Sequence, residues 1–388
     1  MLKTALRRLA FLNRRSRANL AMNAVECLFR IPRPRSRPVY VDVVLTKACN
    51  LRCVFCISYE SAQSGKWMEF GLYERIAREL FPFAATVAFC SGGEPLLYPR
   101  LREALALVRD NRAMAVMVSN GMLLDRTMSS WLVRDQSLWD LNISFDGAKR
   151  ETLQGLRRGA DYDLILSNLE GLAAEKHDRK ADWPTVRFRY AVMRSNIEEL
   201  PLIFEPAARV GVREVLVNYL KVTGAMDMRE SLYHHPALTA EVFAEARIRA
   251  RESGVRVKLP PLPRENRSGR RCRSPWEMCL IDPDGSIRHC YYSWLQRLGW
   301  FDDGFERVWR GDSYAGIRQT LDSPEPYYPY CRHCPVRRGW GLEDSHNQNR
   351  PEEDYLIKGL EHLQTSFNRR SSENRGAFQE RRPGASKL

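Results

Sequence analysis

Residues 39–56 read Val39-Tyr-Val-Asp-Val-Val-Leu45, Thr46-Lys-Ala48, then Cys49-Asn-Leu-Arg-Cys53-Val-Phe-Cys56. The first seven are mostly β-branched, aromatic or leucine side chains, which fit a buried strand. That strand runs into a loop with three thiols at Cys-x3-Cys-x2-Cys spacing. Thiolates are soft ligands suited to iron–sulfur clusters or zinc. A cubane cluster held by three cysteines keeps one iron without a protein ligand, and an open metal position is what chemistry needs. Zinc with a distant fourth ligand is the alternative reading of these three residues alone.

Working outward, strand-like and helix-like runs alternate. Met68–Phe81, Arg100–Arg109, a stretch ending near Val133, Tyr162–Lys176 and Ile197–Val210 have helical character. Thr86–Phe89, Ala113–Val118, Leu141–Phe145, Val186–Met193 and Val212–Leu220 read as strands. With Val39–Leu45 they make six β/α units, which predicts a parallel sheet with right-handed crossovers. The expected class is α/β, a partial (β/α)6 TIM-like barrel. Barrel chemistry sits at the C-terminal strand ends. The cysteine loop, Cys90-Ser-Gly-Gly-Glu-Pro95, Ser119-Asn-Gly121 and Asp146-Gly147 all fall there.

The chain has 388 residues, 44% of them hydrophobic, so a sizeable core is expected and global disorder is excluded. No long uncharged apolar run predicts a membrane-spanning helix, and the start lacks the apolar stretch of a secretion signal. The net charge of +14 is unevenly spread. Residues 1–38 hold ten Lys/Arg against Glu26, and residues 366–388 hold six against two acidic residues, which leaves the body between them near neutral. A body-wide nucleic-acid footprint is therefore not supported, and a zinc and nucleic-acid binding protein is a remote alternative. Leu2, Leu6, Leu9 and Leu12 lie at helical spacing among arginines. They predict an amphipathic arm packed loosely on the body, with a membrane-surface contact as the sharper reading.

The loop Cys49-Asn-Leu-Arg-Cys53-Val-Phe-Cys56 resembles the cluster loop of radical S-adenosylmethionine (SAM) enzymes, including the aromatic Phe55 before the last cysteine. Gly92-Gly-Glu-Pro95, some 36 residues after the last cysteine, resembles the family motif that lines the methionine amino group. Ser119-Asn-Gly121 and Ser144-Phe-Asp-Gly147 resemble its later strand ends. The resemblance implies a [4Fe–4S] cluster on Cys49, Cys53 and Cys56 that chelates SAM and cleaves it reductively to a 5′-deoxyadenosyl radical. It also implies cofactor contacts from Gly92, Gly93, Glu94, Pro95, Ser119, Asn120, Ser144 and Asp146.

A second group reads Cys272-Arg-Ser-Pro-Trp276, Cys290 and Cys331-x2-Cys334, with Asp282-Pro-Asp-Gly285 as a hairpin turn after Cys272. Four thiols from separated loops suit a closed four-ligand site, with a structural zinc knuckle as the alternative. The pattern resembles the SPASM auxiliary-cluster domain in its shortened twitch form, a small α+β unit, and implies one auxiliary [4Fe–4S] cluster. Phe305–Leu321 resembles the helical joining segment of that domain. Cys279 reads as a buried spare thiol, and Cys27 and Cys90 as packing residues.

The expected organisation is a basic arm and linker over 1–38, a barrel over 39–235, a connecting helix, strand and linker over 236–271, the auxiliary-cluster domain over 272–350, and a C-terminal helix and basic tail over 351–388. The expected function is oxidation of a small molecule or secondary metabolite. Radical epimerisation, dehydration or crosslinking of a peptide, lipid-linked or carbohydrate substrate is the alternative. No catalytic residue is assigned. Arg189, Arg194, Asn196, Asn218, Tyr219 and Lys221, near the late strand ends, are the candidate substrate contacts. Flavodoxin or ferredoxin is the expected external electron donor, and the cytoplasm the expected location, with membrane-surface contact through the arm.

Overall fold

The computed structural model describes residues 2–56, 65–220, 227–262, 272–291, 296–323, 326–328 and 331. Lys221, the linker 263–271, Cys334 and the segment 351–388 lie outside the described residues. In chain order the elements are α1 Leu2–Phe11, α2 Arg14–Leu28, β1 Tyr40–Val43, β2 Arg52–Cys53, α3 Phe70–Leu80, β3 Thr86–Phe89, α4 Leu101–Asp110, β4 Met114–Ser119, α5 Arg126–Asp135 and β5 Leu138–Ser144. They continue with α6 Arg150–Leu156, β6 Arg157–Arg158, α7 Tyr162–Asp178, β7 Thr185–Val192, α8 Phe204–Arg209, β8 Glu214–Tyr219, α9 Pro236–Glu252 and β9 Arg256–Lys258. The last are α10 Ser274–Glu277, β10 Met278–Ile281, β11 Ser286–Arg288, β12 Gly299–Trp300, α11 Phe305–Trp309 and α12 Asp312–Thr320.

One sheet holds ten of the strands, in the order β12-β11-β10-β1-β3-β4-β5-β7-β8-β9. All six expected strands are present and parallel, and β9 adds another parallel strand beside β8. At the other edge β10 pairs parallel to β1, and β11 and β12 continue antiparallel. The second cysteine region is thus continuous with the barrel sheet. The expected helix over 197–210 is split into a 3-10 segment, Ile197–Ile203, and α8, since Pro201 and Pro206 each remove a backbone donor.

Strand alternation separates two faces of different chemistry. Val41, Val43, Val87, Phe89, Leu141, Ile143, Phe188, Tyr190, Val215 and Val217 are buried on the helix-covered face. The register places Asp42, Val116, Asp140, Arg187, Arg189, Leu216 and Asn218 on the other, concave face. Closed parallel barrels fill that interior with branched apolar side chains. Here charged and amide side chains share that face with Val116 and Leu216. Its N-terminal floor is an ionic chain: Arg8 donates to Asp140 at 3.0 Å, Arg187 bridges Asp140 and Glu214, and Arg256 reaches Glu214 at 3.5 Å.

Residues before β1 are not a loosely attached arm. Phe11 packs on Trp139 with ring centroids 4.7 Å apart. Inward from α2, Asn19 donates to the carbonyls of Arg37 and Phe83, and Asn23 to Ser36 and the Trp276 carbonyl. Of the leucine stripe, Leu12 is buried and Leu9 is exposed. Several basic residues counted in the charge are paired: Arg7 with Asp182, Arg8 with Asp140, Arg30 with Asp322, Arg33 with Asp312 and Arg37 with Glu306. Among the described residues no helix is long and apolar enough to cross a membrane.

Candidate active site

The cysteine loop is fastened to the barrel rim from three sides. Its β2 pairs antiparallel with β6, so Cys53 faces Arg157 across a two-stranded ladder. The Gly92-Gly93 turn lies flat against the backbone leading to Cys49: Gly93 N–H donates to the Thr46 carbonyl and Glu94 N–H to that of Ala48, both at 2.8 Å. Both glycines are required for that approach. Gly92 has φ +89°, and a Cβ on Gly93 would stand 1.9 Å from the Ala48 carbonyl oxygen. Asn120 closes the third side, donating to the Asn50 side chain at 2.8 Å.

Glu94 joins the second and third strand ends. Its buried carboxylate accepts from Leu96 N–H, the Ser119 hydroxyl and Asn120 N–H at 3.1, 2.9 and 2.8 Å. Burial raises its pKa, and these three donors counter that rise. Pro95 begins the short turn Pro95–Leu97 that these bonds anchor. Asp146 is likewise buried; it accepts from Arg157 Nε and from Ala191 N–H, both at 2.6 Å. Ser144 is half-buried on the concave face, in register with Arg189. So Glu94, Ser119, Asn120 and Asp146 act here through hydrogen bonds that fix the strand ends around the loop.

Arg157 was not singled out by the sequence, yet it is the cation of the site. It donates to Asp146 and, at 3.6 Å, to Cys53 Sγ, and it lies 5.4 Å from the Phe55 ring centroid. Burial pushes the Cys53 thiol up to about 11; Arg157 lowers it, while the neighbouring Cys56 and Cys49 raise it. Three thiols that feel one another's charge with one guanidinium beside them are short of positive charge as thiolates, and a cationic cluster supplies it. Among the described residues no three His, Cys, Asp or Glu are grouped to hold a single metal ion. A cubane, whose thiolates bind different irons, does not require that grouping.

The second cysteine group converges in part. Cys272 and Cys290 feel each other's charge, and the Tyr328 hydroxyl faces both Cys290 and Cys331. Cys331 N–H donates to the Tyr328 carbonyl at 2.9 Å. The N-terminal segment ties this region down: Arg30 donates to the Cys272 carbonyl at 2.7 Å, and Trp276 and Trp309 donate to the Ile31 and Ser36 carbonyls. Arg318, buried, donates to the carbonyls of Pro275, Pro32 and Trp309 and lies 4.3 Å from the Trp309 ring. Cys279 is fully buried on the helix-covered face, and Cys27 is buried on α2.

Between the two cysteine regions the concave face carries a polar cluster. Asp42, fully buried, accepts from Cys90 N–H at 3.2 Å and from the Ser91 hydroxyl at 3.0 Å. The Tyr291 hydroxyl also faces it and lies 2.9 Å from that of Tyr40. Burial raises the Asp42 pKa to about 6. Cys90 borders this cluster: its thiol lies 4.0 Å from the Tyr40 hydroxyl, and burial pushes it up to about 12. A lone carboxylate inside the β-branched run Val39–Leu45 was the available signal for this cluster.

The candidate substrate contacts separate. Arg189 and Asn218 are exposed on the concave face. Arg194 pairs with Glu198 at 3.0 Å. Asn196 is buried and donates to the Asp146 and Ala191 carbonyls while accepting from Met193 N–H, so it braces the Asp146 loop and does not face the barrel interior. Tyr219 lies on the helix-covered face, where it stacks on Phe243 and donates to the Pro261 carbonyl at 2.9 Å.

Comparison with known proteins agrees with this arrangement. Residues 43–204 match the radical SAM superfamily, and residues 272–335 match SPASM, an iron–sulfur cluster-binding domain. The AdoMet-dependent heme synthase of Methanosarcina barkeri is 25% identical over 319 residues, covering 76% of this chain and 87% of its own. The mycofactocin maturase MftC of Mycobacterium tuberculosis is 25% identical over 290 residues, 71% of either chain. The crystal structure of Streptococcus suis SuiB matches with TM-score 0.59 at 17% identity, over 73% of this chain and 68% of that one. A structure of anSMEcpe with bound AdoMet gives TM-score 0.58 at 15% identity, over 84% and 100%. These two structural likenesses establish the fold. With both domains matched in the order the cysteines occupy, the chain is a radical SAM enzyme with a C-terminal SPASM domain, and its domains imply a SAM-binding [4Fe–4S] cluster, SAM and auxiliary iron–sulfur binding.

Proposed function

We propose that this enzyme is an oxidoreductase that dehydrogenates a small molecule held on the concave face of the sheet. When bound, SAM and its cluster would supply hydrogen-atom abstraction from the substrate, and one auxiliary [4Fe–4S] cluster would supply one-electron oxidation. Cys49, Cys53 and Cys56 hold the first cluster, and Cys272, Cys290, Cys331 and Cys334 hold the second. Gly92, Gly93, Glu94, Pro95, Ser119, Asn120, Ser144 and Asp146 shape the SAM end of the site. Arg189 and Asn218 orient the substrate. The Asp42 carboxylate, with Ser91 and Tyr291 donating to it, takes up the proton that an oxidised substrate releases. The single observation that supports this reading is the polar cluster of Tyr40, Asp42, Cys90 and Tyr291 between the two cysteine regions. Flavodoxin or ferredoxin supplies the priming electron.

Radical modification of a peptide is a second reading, favoured by the similarity to mycofactocin maturases. The test is anaerobic turnover of the reconstituted enzyme with SAM, reductant and metabolite extract, followed by mass spectrometry. The expected result is 5′-deoxyadenosine together with a product lighter than its substrate by two hydrogens. About eight irons per chain are expected, falling to about four in the Cys49→Ala, Cys53→Ala, Cys56→Ala variant. A product of unchanged mass, or turnover only with peptides, overturns the dehydrogenase reading.

A further inference from the structure

Helix α2 presents no aliphatic stripe to the core. Its inward face is polar: Ser16, Asn19, Asn23 and Cys27 are buried, and both asparagines are fully engaged with backbone and side-chain partners of the linker and the barrel. Its outward face carries Ala18, Ala21, Met22, Ala24, Val25 and Leu28, continued by Phe29 and Ile31. Val25 is 54% exposed, Leu28 74% and Phe29 70%. A surface helix ordinarily turns its apolar stripe to the core, so an exposed stripe over a polar inward face marks a surface built for contact.

The charges on the same face select the partner. Arg14, Arg15 and Arg17 are exposed at the helix start and make no ion pair among the described residues. Glu26 is the one acid of α2, and its carboxylate accepts from Arg35 and Ser36 N–H. The exposed face is therefore cationic at one end, apolar at the other and free of acids. Such a pairing suits an interface that is anionic at its surface and apolar just beneath. A second copy suits it poorly, because a two-fold contact across α2 lays each arginine end on the other's apolar end and strips cations of water without an acidic partner.

We propose that the outward face of α2, with Phe29 and Ile31, docks this enzyme on an anionic phospholipid bilayer. Leu28, Phe29 and Val25 enter the boundary between headgroups and acyl chains, and Arg14, Arg15 and Arg17 lie against lipid phosphates. The contact sits on the side chains that point away from the barrel, so it leaves the floor pair of Arg8 and Asp140 in place.

Flotation of the cofactor-loaded full chain tests this with vesicles of phosphatidylcholine alone or mixed with phosphatidylglycerol. The expected result is flotation with the mixed vesicles only, released by high salt. Leu28→Glu with Phe29→Glu, and separately Arg14→Ala with Arg15→Ala and Arg17→Ala, each weaken it by at least about tenfold. Circular dichroism and the thermal midpoint of both variants stay at the parent values, because the altered side chains are exposed. Absence of flotation overturns the proposal, as does equal flotation of parent and both variants. A parent dimer that becomes monomeric on Leu28→Glu with Phe29→Glu, with no vesicle binding by either, assigns the face to a second copy and also overturns it.

Discussion

The two cysteine regions are held in opposite ways. The first takes its three thiols from eight consecutive residues, and groups from several strand ends come to the loop: the side chains of Arg157 and Asn120 and the backbone N–H groups of Gly93 and Glu94. The second gathers Cys272, Cys290 and Cys331 from 60 residues of chain and depends on residues far away in sequence. Arg30, Ile31, Pro32 and Ser36 reach across to Cys272, Trp276, Arg318 and Trp309. A local ligand set keeps its geometry when one support is removed. A dispersed set shares its geometry with the global fold, so damage there unfolds before it merely misplaces a thiol.

The largest expected effect therefore lies at Arg318, far from the SAM loop. Arg318→Ala leaves three carbonyls without their donor and opens a cavity between Trp309 and Tyr314. A loss of about 3–5 kcal/mol is expected in denaturant unfolding of the whole chain. A loss confined to auxiliary iron, with unchanged unfolding, would break the contrast between the two regions.

Asp42 probes the seam between them. Its pKa rises from 3.8 to about 6 on folding, so the folded chain binds its proton more tightly than the unfolded chain does. The carboxyl's contribution is fully present below about pH 4, declines as pH rises through about 6 and is constant above, a change of about 3 kcal/mol. Arg288 is the cation that faces it, and Cys90 and the Tyr40 and Tyr291 hydroxyls stay neutral over this range. Subtracting the stability–pH curve of Asp42→Asn from that of the parent isolates the slope. A flat difference between pH 4 and 6 would place Asp42 outside the titrating groups.

The smallest effect is at the first region. Arg157→Lys keeps a cation beside Cys53 but loses the fork on Asp146. About 1–2 kcal/mol of stability is expected to go, while the loop cluster still assembles with its full iron and its absorption spectrum. Loss of that iron would show that the loop is as dependent on distant support as the second region is.

Much of the scaffold was legible in the sequence, for reasons visible in particular residues. Thr86–Phe89 and Val41–Val43 alternate or run apolar because one face must lie under helices. Gly92 and Gly93 stand out because no side chain fits between the second strand end and the cysteine loop. The N-terminal segment was the least legible. Its arginines suggested a loose arm, while the anchors are Asn19 and Asn23, whose buried bonds reach residues 37, 83 and 276. Asn196 and Tyr219 have the right residue types beside the right strands, but alternation and loop bonding turn them away from the concave face.

What the sequence determined by itself was local: the strand-to-loop junction at Val39–Cys56, the order of β/α units and the cysteine spacings that decide the class of cofactor. These follow from periodicity and ligand spacing, which operate within a few residues. Tertiary structure alone decided which cation stands beside Cys53, that Asp42 is buried between two tyrosines and a thiol, and that α2 faces outward with its apolar side. Each depends on at least one partner more than 40 positions away, paired by sheet register and burial, and the cost of an unpartnered buried charge or amide fixes that pairing only once the chain has closed on itself.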